Sequence, residues 1–172
     1  MGMDISGKNP TTDAGKYFRN SVWCWRPLAG YITETAPVNI TDACAYWQSN
    51  DGAGLDVDGS AALAAFLRLE IASGRTAQFA DAWEKRRLSL PRVTCRLCHG
   101  SGIRRDAVGV QEGMPERVVD TPGHPREGQT GWCNGCDGLG TQEPHAFHYP
   151  FSVENVVDFC TFLEGCGGFE IW

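Results

Sequence analysis

The chain has 172 residues, a length that allows one domain or one domain with a small appendage. The composition, with 42% hydrophobic and 21% charged residues, excludes global disorder. No apolar run approaches the ~18–20 residues of a membrane span, so a membrane-spanning helix is also excluded. The formal net charge of −6 argues against a general nucleic-acid coat, because such a protein needs a basic surface.

The N-terminal part of the chain predicts one amphipathic helix. Residues 1–10 lack the basic-then-apolar pattern of a secretory signal, so we do not expect secretion by that route. Apolar residues at helical spacing predict a helix over 12–25, which Pro27 ends or bends. Trp23 and Trp25 cannot face the same side of this helix, so we expect one in the core and the other exposed.

The middle of the chain predicts three further helices. A short one is expected over 42–47. The next runs over 60–73, is capped by Asp58 or Ser60 and buries an apolar face. The third runs over 77–88, and its basic last turn suits the negative end of the helix dipole.

Residues 93–150 change character, because Gly and Pro become frequent and helical periodicity disappears. We expect short β-hairpins and loops here. No element is predicted over 106–131, and a loop of that length is usually functional or disordered. A helix returns over 153–164, capped by Ser152, and a short strand is expected over 169–172.

The strongest local signal is a doubled C-x-x-C-x-G-x-G pattern, which begins with Cys95 and Cys98 and recurs with Cys133 and Cys136. Two residues between cysteines allow a tight turn to present both thiolates to one metal. The glycines leave backbone N–H groups able to donate to sulfur. Four thiolates form the closed shell of structural zinc, so we predict one Zn²⁺ per chain with no catalytic role. A disulfide or a redox C-x-x-C is the alternative, although nothing indicates an oxidising compartment.

Together these elements predict an α+β fold, in which a helical body carries an inserted β-hairpin arm stapled by zinc. The expected organisation is a helical body over 1–92, the zinc-binding arm over 93–150, and a C-terminal helix and strand over 151–172 that pack back on the body. Six residues are predicted to lie in the core: Trp25, Phe66, Leu67, Trp83, Phe159 and Leu163.

Histidines outside the cysteine pattern give weaker signals. His145 and His148, together with an acid such as Asp120, could ligate a second, catalytic metal, although histidines in a proline-flanked loop are more often ordinary loop residues. His124 has no predicted role. The remaining cysteines lack paired spacing, so we expect no second metal site from them: Cys24, Cys44, Cys160 and Cys166.

Charge is distributed in blocks. Residues 68–105 carry nine Lys or Arg residues, whereas residues 127–172 carry seven acids and no Lys or Arg. The blocks either offset each other within the chain or leave an acidic face that steers a basic partner. Steering would depend on four acids, which are Asp137, Glu143, Glu164 and Glu170.

Residues 95–102 and 133–140 both have the motif C-x-x-C-x-G-x-G. Through this motif they resemble the cysteine-rich zinc-binding hairpins of the DnaJ-type (J-protein) chaperone family. The resemblance covers 95–140 only and includes two of that family's four repeats. The family's His-Pro-Asp signature is absent, and residues 124–126 are His-Pro-Arg. What the resemblance implies is a zinc-binding scaffold.

A second resemblance is carried by five short segments, which are 3–10, 18–20, 25–28, 153–156 and 166–171. Across them the chain resembles small proteins that phages and prophages encode. The resemblance implies the cytoplasm of a bacterial host as the setting.

Three hypotheses about function follow. The first is a non-enzymatic phage protein that binds a host macromolecule, for example to inhibit a defence system such as CRISPR. The closed zinc shell, the lack of catalytic motifs and the acidic blocks favour it. The second is nucleic-acid binding through the basic region 85–105. The third is a metal-dependent enzyme that uses the 120–148 loop. None of the three involves a membrane, and the sequence does not indicate an oligomeric state.

Overall fold

The computed structural model describes residues 2–172, which divide into two compact units. The body unit contains the chain up to Leu88 together with His148–Trp172, and the cysteine unit is Ser89–Phe147. Helices and small antiparallel sheets occur together, so the predicted α+β class is confirmed. The arm predicted over 93–150 corresponds to the cysteine unit, with both boundaries a few residues nearer the N-terminus. Within the described residues, no helix has the length and apolar character needed to cross a membrane.

The secondary structure follows the chain in this order. The strands are β1 (Gly2–Gly7), β2 (Tyr17–Ser21), β3 (Gly54–Leu55), β4 (Val93–Thr94), β5 (Thr141–Gln142) and β6 (Phe169–Ile171). The helices are α1 (Val22–Thr35), α2 (Val38–Thr41), α3 (Val57–Ala72), α4 (Arg75–Leu88), α5 (Ala107–Gln111) and α6 (Val153–Gly165). A 3₁₀-helix covers His145–His148.

Four strands of the body unit form an antiparallel sheet in the order β2-β1-β6-β3. Ile5 in the middle of β1 lies opposite Phe18 of β2 and Ile171 of β6. Met3 and Ile5 are buried while their neighbours along β1 are half-exposed, so one face of this strand lies against the core. The C-terminal strand predicted over 169–172 is confirmed as β6, whereas β1 and β2 were not predicted.

The predicted helix over 12–25 is wrong. Its first part forms turns and then β2, and α1 begins only at Val22. Ser21 caps α1, because its Oγ accepts a hydrogen bond from the Cys24 N–H at 3.2 Å. Pairing with β1 makes β2 a strand, and a partner strand is invisible to a local pattern of apolar spacing.

Two further details of the N-terminal prediction are also corrected. The helix α1 continues through Pro27 instead of ending there, and Leu28 and Ile32 beyond it are fully buried. Burial of that face favours the helix despite the lost N–H of proline. The short helix predicted over 42–47 lies earlier, as α2, where Pro37 precedes the first turn.

The cap of α3 also differs from the prediction. The Asp56 carboxylate accepts a hydrogen bond from the Gly59 N–H at 2.8 Å, so the helix begins at Val57, before the predicted 60–73. Neither Asp58 nor Ser60 acts as the cap. The predictions for the last two body helices are close, since α4 covers the predicted 77–88 and α6 begins, as expected, after its Ser152 cap.

Replacing Asp56 with alanine is expected to lower the free energy of unfolding by about 1 kcal/mol, because the Gly59 N–H at the start of α3 loses its acceptor. Asp58→Ala is the matched control, since it removes an exposed acid from the first turn but no cap and should cost only about 0.3 kcal/mol. Urea unfolding of both variants measures the difference. Equal destabilisation by the two changes would contradict the assignment of the cap.

The core of the body unit lies between the sheet and α1, α3 and α6, and α3 packs directly against α6. Trp25 is fully buried and donates from Nε1 to the Trp47 carbonyl at 2.7 Å, while Trp23 is 43% exposed. The expectation that these two tryptophans differ in burial is therefore confirmed. Of the six predicted core residues, four are buried and two are half-buried. The half-buried pair is Phe66 and Trp83.

Candidate metal centre

The cysteine unit brings two distant loops together through a short antiparallel pair, β4 with β5. We call residues 95–102 the first cysteine loop and residues 133–140 the second. The Cys95 N–H donates to the Gly140 carbonyl at 2.9 Å, so the start of the first loop is joined to the end of the second. The pairing brings the two C-x-x-C motifs close together, although they are far apart in sequence.

The four predicted cysteines meet at one buried point. The sulfur atoms of Cys95 and Cys133 are 3.8 Å apart, those of Cys98 and Cys136 are 3.6 Å apart, and all four lie within 4.8 Å of one another. A disulfide would need about 2.0 Å, so these are free thiols. A tetrahedron with sulfur ligands at about 2.3 Å has edges of about 3.8 Å. The group therefore has the spacing to hold one metal ion.

The two cysteine loops repeat the same backbone conformation. In each loop the residue after the second cysteine has a positive φ, 50° for His99 and 55° for Asp137. Non-glycine residues rarely adopt this region, and here it turns the chain back over the sulfurs. The Gly140 N–H then donates to the Cys136 sulfur at 3.2 Å, as expected for amides that stabilise thiolates.

The surroundings give the cysteines unequal acidities. Burial acts to raise the pKa of Cys98, but hydrogen bonds to its sulfur from the Gly102 N–H, the Cys136 thiol and the Gly100 N–H bring the pKa down to about 7. For Cys136, burial dominates and raises the pKa to about 12. Burial also raises the pKa of Cys133. A bound cation would replace the protons that these thiols otherwise keep, because metals ligate the thiolate form.

The loops interlock through a reciprocal pair of glycine contacts. A Cβ placed on Gly102 would lie 2.3 Å from the Gly138 carbonyl oxygen, and one on Gly140 would lie 2.3 Å from the Gly100 carbonyl oxygen. The second glycine of each G-x-G sequence therefore lies against the first glycine of the G-x-G sequence in the other loop. The spacing of the doubled motif is therefore needed for contact between the loops as well as for binding sulfur.

Gly102→Ala is expected to destabilise the cysteine unit strongly, because the new methyl group overlaps a backbone carbonyl of the other loop. Gly123→Ala is the matched control, since Gly123 also has a positive φ (76°) but an added Cβ would meet nothing within 4 Å. The control should lose only roughly 1–2 kcal/mol of stability, which is the cost of holding an alanine at a positive φ. Thermal unfolding of the metal-loaded proteins compares them, and similar losses would mean that the loops do not interlock as described.

The segment 106–131, in which no element was predicted, is ordered around the site. Asp106 caps the short helix α5 by accepting from the Gly109 N–H at 2.7 Å. Val118 and Thr130 form a bridge that closes a hairpin-like turn. Two side chains of this turn contact the cysteine loops, and neither was predicted as a site residue. These are His124 and Arg126.

The other candidate metal ligands are not brought together. Within residues 2–172 the four cysteines are the one group of three or more metal-ligating side chains. His145 and His148 stand at the two ends of the 3₁₀-helix, and Asp120 is exposed. Cys160 lies in the core of the body unit, where its sulfur donates to the Ala64 carbonyl at 3.4 Å.

Most of the charged residues that could have formed steering or nucleic-acid surfaces are paired within their own unit. Glu164 forms a two-point contact with Arg68, 2.6 Å at its shortest, and the hydrogen bond lowers the pKa of Glu164. Glu143 pairs with Arg92, and Glu170 lies 3.7 Å from Lys8. Three of the four acids proposed for steering therefore have basic partners within the chain, which favours the alternative in which the charge blocks offset each other. Five of the nine basic residues in 68–105 also have acidic partners: Arg68, Arg75, Arg87, Arg92 and Arg104.

Comparison of the chain with protein-family models, with curated proteins and with solved structures finds no match. What the site can do therefore follows from its own geometry and chemistry. That geometry is a closed, buried group of four thiols on two interlocked loops, with the spacing to hold one metal ion.

Proposed function

We propose that the four cysteines hold one structural Zn²⁺ per chain. The observation that carries this is the buried group of four sulfur atoms, which all lie within 4.8 Å of one another and include two pairs at 3.6 and 3.8 Å. Thiolate ligands select soft or borderline metals such as zinc over magnesium or calcium. Four protein ligands leave no coordination position for water, so the ion supports folding and does not activate a nucleophile.

The identity and ligands of the metal are tested by elemental analysis of protein expressed in the bacterial cytosol. One zinc per chain is expected, and Cys133→Ser should reduce it well below one. Cys160→Ser is the matched control, because it removes a buried cysteine of the body unit and should leave the zinc content unchanged. A metal-free wild-type protein, or zinc retained in full by Cys133→Ser, would overturn this assignment.

On this scaffold the protein acts as a phage-encoded, non-enzymatic binding protein that targets a host macromolecule in the bacterial cytoplasm. The setting is supported by the resemblance of its terminal segments to phage and prophage proteins. The mode of action is supported by the closed sulfur shell, which offers no site for chemistry. A protein of a host defence system, such as a CRISPR component, is the first partner to test.

The two other hypotheses have less support. Nucleic-acid binding through 85–105 is disfavoured because Arg87, Arg92 and Arg104 already contact carboxylates. An enzyme that uses 120–148 would need a second metal site, and no third ligand joins His145 and His148 within residues 2–172.

The partner is tested by affinity purification of the tagged chain from infected cells, with mass spectrometry and nucleic-acid detection on the same eluate. A host protein that elutes in stoichiometric amount and rebinds in purified form is the expected result. A parallel purification with Cys133→Ser asks whether the cysteine unit is needed for capture. Recovery of nucleic acid that salt releases, without a host protein, would instead favour the second hypothesis.

A further inference from the structure

The hairpin-like turn between Val118 and Thr130 contacts both cysteine loops from outside the sulfur group. Arg126 donates from Nη1 to the Ser101 carbonyl of the first loop at 3.0 Å. The Arg126 stem also lies against the second loop, because a Cβ on Gly138 would be 3.4 Å from its Cδ. One side chain therefore spans the line along which the two loops meet.

His124 completes this connection on the second loop. Its Nε2 lies 2.8 Å from the Asp137 carbonyl oxygen, while its Nδ1 accepts from the Arg126 N–H at 3.1 Å. These partners require the tautomer with hydrogen on Nε2. The His124 ring also packs beside Trp132, with ring centroids 5.1 Å apart, and Trp132 directly precedes Cys133.

Both contacts lie next to the groups that hold the sulfurs. Ser101 sits between the two glycines whose N–H groups donate to Cys98, and Asp137 directly follows Cys136. Holding these two carbonyls therefore holds the backbone that orients two of the four ligands. Residues outside the ligand shell that orient ligands typically change metal affinity by about 10–100-fold when they are replaced.

We propose that Arg126, oriented by His124, is a positioning residue that holds the two cysteine loops together and so slows loss of the metal. This inference rests on the proposed metal site and adds a determinant of metal retention outside the four ligands. Loss of an ion from a four-thiolate site requires the loops to separate. Arg126 opposes that separation because it is bonded to one loop and packed on the other.

The test compares the rate of zinc release from the full chain to an excess of a chromogenic chelator. Arg126→Met keeps most of the stem but removes the donors, and we expect release to be about tenfold faster or more. Arg126→Lys keeps the charge with a single donor group, so it should restore part of the retention. Arg105→Met is the matched control, an exposed arginine of the same unit, and should release zinc at the wild-type rate.

The absorption spectrum of Co²⁺-loaded protein separates a positioning role from general damage. An unchanged tetrahedral sulfur spectrum together with faster release is the expected result for Arg126→Met. Release within about twofold of the wild-type rate would overturn the proposal. If Arg126→Met does not form the cobalt site, the rate of zinc release from Arg126→Lys is compared with the wild-type rate instead, and the same twofold limit applies. A wild-type chain that binds neither ion would refute the metal site itself, which is a distinguishable outcome.

Discussion

Removal of the metal is expected to unfold Ser89–Phe147 while the body unit stays folded. Apart from the four cysteines, the buried hydrophobic side chains described in the cysteine unit are few, and they are Val119 and Trp132. Such a unit cannot bury enough apolar surface to offset its chain entropy. A structural zinc supplies roughly 10 kcal/mol or more of folding free energy, so the unit should depend on it. The body unit has a large core of its own.

Hydrogen exchange measured with and without a strong chelator tests this expectation. Amides of the two cysteine loops should lose protection, whereas those of α3 and α6 should keep it. Cys98→Ser should give the chelated pattern without any chelator, and Cys160→Ser should not. Simultaneous loss of protection in α3 and α6 would mean that the two units fold as one cooperative structure and that the division proposed here is wrong.

Phe159→Ala is expected to destabilise the body unit by about 3–5 kcal/mol. Phe159 is fully buried on α6, and its ring lies 5.2 Å from Phe18, 5.5 Å from Trp25 and 5.9 Å from Phe169. The truncated side chain would leave a cavity between β2, α1 and β6. These neighbours come from three parts of the chain and cannot easily collapse into the space.

Phe66→Ala is the comparison for this variant. Phe66 is predicted, like Phe159, to lie in the core, but it is only half-buried against the core. Its replacement should therefore cost clearly less than that of Phe159. Urea unfolding followed by tryptophan fluorescence measures both variants. An unchanged unfolding midpoint for Phe159→Ala would show that the core of the body unit is misassigned.

The sequence predicts best where a feature depends on local spacing. The four cysteines were identified from a motif whose purpose is local, which is to present two thiolates from one turn. The same is true of α6, where the Ser152 cap and the apolar face specify both the start and the orientation of the helix. For α3 the apolar face predicts the helix, but the cap is Asp56 and neither the predicted Asp58 nor Ser60, because all three are capping residue types that precede the same apolar run.

The N-terminal strands were missed because their stability comes from pairing. Tyr17–Ser21 contains apolar residues at a spacing that also fits a helix, and only the opposite strand makes it β2. A signal for β1 did exist, since Met3 and Ile5 alternate with polar or small residues at the period of a strand. In the cysteine unit, His124 and Arg126 follow no motif, and their role depends on contacts with loops that are distant in sequence.

The most direct test of the central claim is X-ray absorption at the zinc edge of the purified full-length chain. The structure predicts four sulfur neighbours at about 2.3 Å and no oxygen or nitrogen in the first shell. That result would establish a closed shell of four thiolates, as expected for Cys95, Cys98, Cys133 and Cys136. A shell that contains nitrogen or oxygen, or a protein that carries no zinc, would contradict it.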